Sequence, residues 1–213
     1  MNHDQLVRLT ALDACAVSDA LDRLGLPGSV LGLRPLSGAR LAGRARTVLT
    51  GPDDGSGRHV AAATVESAEP GDVVVIAGGG QTDVSCWGGI LTAAAQRRGV
   101  AGVVIDGAAR DVDETAAAGF PVFARAAVTR TARGRITQVA ADEPVDFAGT
   151  QVARGDLVIA DGSGVVFVPA ARAEEVLTIA ERIAARQARI LDRVRAGEPV
   201  TRLMSDASLT EGL

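Results

Sequence analysis

The chain contains no lysine and no tyrosine. Without lysine there is no amine to form a Schiff base with a carbonyl substrate or to hold pyridoxal phosphate. The Walker-type phosphate loop, which needs Gly-Lys, is excluded as well. Aromatic residues make up 2% of the chain, leaving almost no platform for base stacking, and the net charge of −4 gives no basic footprint. No nucleic-acid partner is expected. Of the two histidines, His3 lies at the N-terminus. A Ser-His-Asp triad would have to use His59, and no nucleophile elbow accompanies it, so His59 reads as a helix surface residue. Cys15 and Cys86 have neither framework nor metal spacing and read as small, reduced core residues. A zinc site rich in histidine and cysteine is excluded. The tools left for electrophilic chemistry are carboxylates, arginines, backbone amides and a hard cation such as Mg²⁺.

What is present describes one domain over residues 1–213, 47% hydrophobic and able to bury a real core. The start, "MNHDQLVRLT", has no apolar signal-peptide core. The stretch "GILTAAAQRRGVAGVVIDG" is broken by Arg97, Arg98 and Asp106. A cytoplasmic protein without a membrane segment is expected.

Periodicity gives an α/β order. "LVRLTAL" and "VSDALDRLG" read as short helices, "ARLAGRARTVLTG" as a strand, and "RHVAAATVESAEPGD" as a helix stopped by Pro70 and Gly71. "DVVVIAGGG" is a β-branched run that predicts a strand buried on both faces and ended by Gly78, Gly79 and Gly80. A helix from about Ser85 to Gly99 follows, with Trp87, Ile90, Leu91 and Ala94 on one face. "AGVVIDG" is a second buried strand, "DVDETAAAG" a short helix and "PVFARA" a third strand, which together imply parallel crossovers. β-Hairpins come next, then a long helix from about Ala170 to Ala196 with Val176, Ile179, Ile183, Ile190 and Val194 on one face. That helix packs either on its own domain or against a second subunit.

Ligands of parallel sheets bind beyond the carboxyl ends of the strands. The glycine loop Gly78–Gly80 and the Arg110-Asp111 turn both leave such ends, and neighbouring strands would bring them to one crevice. Glycine amides and a helix N-terminus suit an anion, Arg110 suits a carboxylate, and Asp111 with Asp113 and Glu114 suits a divalent cation. The rival reading is local: Asp111 followed by Glu114 fits a capping box, and the triple glycine fits a plain turn. Trp87 reads as a core or interface anchor.

The segment "PGDVVVIAGGG…WGGILTAAAQRRGVAGVVIDGAARDVDETAAAGFPVFARA", with "VSDALDRLG", "GRARTV" and "GDLVIADGSGVVFVP" around it, resembles the RraA family (regulator of ribonuclease activity A). That family includes the divalent-metal-dependent 4-hydroxy-4-methyl-2-oxoglutarate aldolases. The resemblance implies a swivelling β/β/α-type domain with a parallel βαβ crossover and a long C-terminal helix, assembled as a homotrimer or hexamer. It implies that Arg110 binds a pyruvate-type 2-oxo acid and that Asp111 holds Mg²⁺ or Mn²⁺, mostly through waters. It also implies that the amides of Gly88, Gly89 and Gly78–Gly80 cradle the carboxylate. An acid from a neighbouring subunit's C-terminal segment assists; Glu198 is the candidate. The chain departs from the best-defined aldolases in having Gly89 where they carry an aspartate, which leaves Glu114 as the candidate acid. The expected chemistry is carbon–carbon lyase chemistry through a metal-stabilised enolate, as retro-aldol cleavage or oxaloacetate decarboxylation. The alternatives are a non-catalytic regulator of ribonuclease E and a cleft retuned to another small acid.

Overall fold

The computed structural model describes residues 3–204. In chain order the elements are α1 (His3–Thr10), α2 (Ala14–Arg23), β1 (Ser29–Val30), β2 (Arg34–Ser37), β3 (Leu41–Pro52), α3 (Ala62–Glu66), β4 (Asp72–Trp87), α4 (Gly89–Arg98), β5 (Gly102–Ala109), α5 (Val112–Ala117) and β6 (Val122–Ala127). There follow β7 (Ile136–Ala141), β8 (Val145–Phe147), β9 (Thr150–Val152), β10 (Leu157–Asp161), β11 (Gly164–Val168), α6 (Ala173–Arg195) and α7 (Val200–Leu203).

The main sheet runs β1-β11-β10-β3-β4-β5-β6-β2, with β7 also paired to β3. Its centre, β3 to β6, is parallel; β10 and β2 flank it antiparallel. A parallel centre must be covered on both faces, and its sequence shows this. Every residue of β5 is buried, and Val73, Val74, Val75 and Ile76 of β4 are fully so. Alternation sends Val74, Ile76, Val103 and Ile105 to a core shared with Val65, Trp87, Leu91 and Ala95. It sends Val73, Val75, Val104 and Phe123 to the other face, under Val145, Phe147 and Val152 of the β8–β9 hairpin. A third core joins α1, α2 and the first half of α6 to β10 and β11. In α6, Val176 and Ile183 are buried there, whereas Val194 is exposed.

The mixed α/β class, the parallel crossovers and the long C-terminal helix agree with the sequence reading. Several local expectations need correction. β4 does not stop at the glycines: it runs to Trp87, with register breaks between Ile76 and Gln81 and again before Trp87. The following helix starts at Gly89 rather than near Ser85, so Trp87 is a strand residue and Ile90 is 84% exposed. Helix α3 is short, and His59 lies in the loop before it. Cys15 is exposed, while Cys86 is buried. Residues Ala170–Arg172 form a 3-10 turn ahead of α6. Among the described residues no helix is long and apolar enough to cross a membrane.

The glycines Gly78–Gly80 pass over the end of β5 towards β6. A Cβ on Gly78 would lie 2.6 Å from the Asp106 carbonyl oxygen, and one on Gly80 would lie 3.8 Å from Arg125 Nε. There the buried Asp106 carboxylate accepts a hydrogen bond from Arg125 Nε. Asp106 and Arg125 point to the same face as Val104 and Phe123. Removing the cation would leave a buried charge unpaired. Arg125→Met is therefore expected to cost about 3–5 kcal/mol in urea unfolding, most of it recovered in an Asp106→Asn, Arg125→Met double variant. A cost under about 1 kcal/mol would show the pair to be solvated.

Candidate active site

Four connections at the carboxyl ends of the parallel strands build one cleft. Its volume is about 280 Å³, and its lining includes Ser85, Cys86, Trp87, Gly88 and Leu91 from β4 and α4, with Arg110 and Asp111 after β5. His59 and Thr131 come from two further loops.

The local geometry follows from two backbone features. Gly88 is extended and links β4 to α4, and the N–H of Arg110 donates to the Trp87 carbonyl at 2.9 Å, which binds the two strand ends together. Asp111 is left-handed (φ 55°, ψ 41°), a conformation that aspartate tolerates better than most residues. In that turn its side chain makes no cap on its own helix. Instead Asp111 Oδ2 accepts the Gly89 N–H at 2.9 Å, so it caps α4, the preceding helix. The capping-box expectation for Asp111 and Glu114 is thus corrected: the aspartate caps a helix twenty-two residues back along the chain. The same oxygen lies 3.3 Å from Arg110 Nε, so Arg110 and Asp111 form one unit, each about one-third exposed. Trp87, stacked on Phe120 and bonded through Nε1 to Thr92, is a rigid core anchor beneath them.

Space is as tight as the hydrogen bonding. A Cβ on Gly88 would fall 2.6 Å from Asp111 Oδ2 and 3.1 Å from Arg110 Cγ, so only glycine leaves that pair in place. A Cβ on Gly89 would collide with Glu114 Oε2. The Glu114 carboxylate therefore occupies the room that a side chain at position 89 would need. Gly89 and Glu114 border a depression beside the cleft that also touches Ile90.

The sequence-derived residues thus divide. Arg110, Asp111 and Gly88 share the cleft, with Gly89 and Glu114 at its margin. Gly78, Gly79 and Gly80 do not line it; Gly80 neighbours Arg125 instead. Glu198 is exposed beyond α6 and pairs with Arg193 of its own chain at 2.7 Å, which holds its carboxyl below the usual range. His59 and Thr131 were not among the expected site residues. A histidine in a glycine- and aspartate-rich loop carries no periodic signal of which cavity it faces.

The cleft joins a charged pair, Arg110 and Asp111, to an apolar base of Cys86, Trp87 and Leu91. Burial pushes the Cys86 thiol up to about 11, against a hydrogen bond from the Ala108 backbone, so it stays protonated and is no nucleophile. Among the described residues no three His, Cys, Asp or Glu side chains cluster as a protein cage for a metal. Mg²⁺ does not need one: it binds through one or two carboxylates and keeps its waters. Asp111 fits that demand. Its Oδ2 takes both the Gly89 and Arg110 contacts, which leaves Oδ1 to a cation, and Glu114 stands a helix turn away.

The fold and cleft define an α/β protein with an arginine–aspartate pair in a cleft at the carboxyl ends of parallel strands. The chain belongs to the RraA-like family described as Aldolase/RraA, which matches residues 14–167. It is 33% identical over 202 residues to a protein of Halalkalibacterium halodurans named "Putative 4-hydroxy-4-methyl-2-oxoglutarate aldolase", covering 91% of each chain. It is 30% identical to Protein DlpA of Legionella pneumophila, where it spans 94% of this chain but only 33% of DlpA. Among solved structures, an uncharacterized protein from Pseudomonas syringae superposes with a TM-score of 0.89 at 31% identity, covering 96% of this chain and 98% of that one. RraAS2 of Streptomyces coelicolor, described as an unusual member of the RNase ES inhibitor RraA family, superposes at 0.81 with 26% identity, covering 91% and 97%.

Proposed function

We propose that the protein is a divalent-metal-dependent carbon–carbon lyase that releases pyruvate from 2-oxo acids, by retro-aldol cleavage of 4-hydroxy-4-methyl-2-oxoglutarate-like substrates, by oxaloacetate decarboxylation, or both. The observation that carries this reading is the Arg110–Asp111 unit, locked against Gly88 and the start of α4 in a cleft of about 280 Å³.

Arg110 meets Asp111 through Nε, and its two terminal nitrogens carry the remaining N–H donors of the guanidinium. They can grip the substrate carboxylate and the keto oxygen, where negative charge develops as the carbon–carbon bond breaks. Asp111 would hold Mg²⁺ or Mn²⁺ through Oδ1 and waters. Bound there, the cation supplies Lewis-acid stabilisation at the keto oxygen, a role that an imine-forming lysine fills in lysine-dependent aldolases. Trp87, Cys86 and Leu91 exclude water from one side and strengthen those electrostatic contacts. Glu114, at the margin, passes a proton from water to C3 of the pyruvate enolate.

Pyruvate release, followed by coupled reduction to lactate over a panel of 2-oxo acids, tests this directly. Activity is expected to vanish in EDTA and to return with Mg²⁺ or Mn²⁺. Full turnover in chelator would remove the metal from the account. The resemblance to RraAS2 supports a second reading, inhibition of a ribonuclease, in which Arg110 would be dispensable.

A further inference from the structure

We propose that the imidazole of His59 is the base that removes the C4-hydroxyl proton in aldol cleavage, an inference that rests on the lyase reading above. The cleft offers four ionisable side chains: His59, Cys86, Arg110 and Asp111. Arginine never gives up its proton under these conditions. Cys86 is a buried thiol. Asp111 Oδ2 is taken by Gly89 and Arg110, and its other oxygen faces the cation role. With Glu114 at the margin assigned to the later proton transfer to C3, the cleft-lining side chain left with a nitrogen lone pair to offer is the His59 imidazole.

Its ring is set for that task. Nδ1 lies 3.3 Å from the Val60 carbonyl oxygen. A carbonyl only accepts, so Nδ1 is the donor in this contact, and in the neutral ring the lone pair is then on Nε2. The backbone around it is fixed from outside the loop. The Arg58 carbonyl accepts from Thr137 Oγ1 at 2.7 Å, and the Ala61 N–H donates to Gln138 Oε1 at 3.0 Å. Both partners belong to β7, and Thr137 is buried. Val60 is buried, and Ala61 is held left-handed at φ 60°, a strained state for alanine. An exposed histidine between two anchored peptides, at the edge of the cleft, is more constraint than a loose surface loop needs.

The step balances as follows. Nε2 takes the hydroxyl proton, C4 becomes a carbonyl, and the C3–C4 electron pair passes to C3 and the keto oxygen. The enolate then takes a proton at C3 from water, and His59 returns its own to solvent. Oxaloacetate has a carboxylate where the aldol substrate has its hydroxyl-bearing carbon. Its decarboxylation has no such proton to remove.

The test is His59→Asn, whose amide can still donate to Val60, and His59→Gln beside it. Turnover of 4-hydroxy-4-methyl-2-oxoglutarate and of oxaloacetate is measured with Mg²⁺. Aldol cleavage is expected to lose about 100-fold or more in kcat with KM nearly unchanged, while decarboxylation stays within about threefold. Equal losses on both substrates, or no loss on either, would overturn the assignment. Wild-type protein that cleaves neither substrate would overturn the lyase reading itself, and does so before any substitution is made.

Discussion

Arg110→Ala is expected to lower kcat/KM for pyruvate release by roughly 100-fold to 1,000-fold, with both a higher KM and a lower kcat. The double effect follows from what the guanidinium would touch. The substrate carboxylate is present in the ground state, so its loss weakens binding. The keto oxygen gains charge only as the bond breaks, so its loss slows chemistry. The fold should hardly notice. Arg110 is about one-third exposed, and its ion-pair partner is Asp111. The Gly89 N–H keeps its Asp111 acceptor in the variant. The melting temperature should therefore move by no more than a few degrees. Asp111→Ala should differ in kind. It removes the α4 cap as well as the cation's carboxylate, so a loss of activity comes with roughly 1 kcal/mol of stability. If both variants lose stability and retain their kinetic constants, the pair is structural and the regulator reading gains.

Exchanging the acid between positions 114 and 89 is expected to be the second large effect. Glu114→Ala should reduce turnover by about 100-fold if its carboxylate relays the proton to C3. Gly89→Asp alone should not improve matters, because the Glu114 side chain must swing aside and two carboxylates then crowd one spot. In the double variant that space is free, and the new carboxylate should recover a large part of the lost rate. Glutamine at 114 would be the wrong background, since it fills the same volume. The quantities to compare are turnover and melting temperature across wild type, both single variants and the double. Normal turnover in Glu114→Ala, or no recovery in the double variant, would show that Glu114 only occupies space.

The parallel centre of the sheet was legible because its signal is local: "DVVVIAGGG" and "AGVVIDG" are β-branched runs buried on both faces. The end of β4 was not, because glycine carries no hydropathy pattern and a strand that breaks register reads like one that stops. That Arg110 and Asp111 share a cleft was legible from their place after a buried strand. The bond that orders them was not: Asp-x-x-Glu is compatible with a local cap, whereas the partner of Asp111 is the amide of Gly89 on a different helix. Gly89 and Glu114, linked in the sequence by the missing aspartate, are spatial neighbours, with the Glu114 carboxylate standing where a Cβ at position 89 would come. His59 was misplaced for the same reason as Asp111. Its position depends on Thr137 and Gln138, whose contacts with the loop no window of sequence spans. Gly78–Gly80 show the reverse error, a suitable motif at a strand end that turns towards Arg125 rather than into the cleft.

In the lyase proposed above, one cleft binds a 2-oxo acid together with a divalent cation, through Arg110 and Asp111. Calorimetric titration with oxalate, a planar dianion resembling the pyruvate enolate, tests it most directly. Wild-type protein is expected to bind one oxalate per chain in Mg²⁺ and at least about 100-fold more weakly in EDTA, with Arg110→Ala and Asp111→Ala both losing the metal-dependent binding. Oxalate binding that is the same in EDTA, or that survives intact in both variants, would contradict the account.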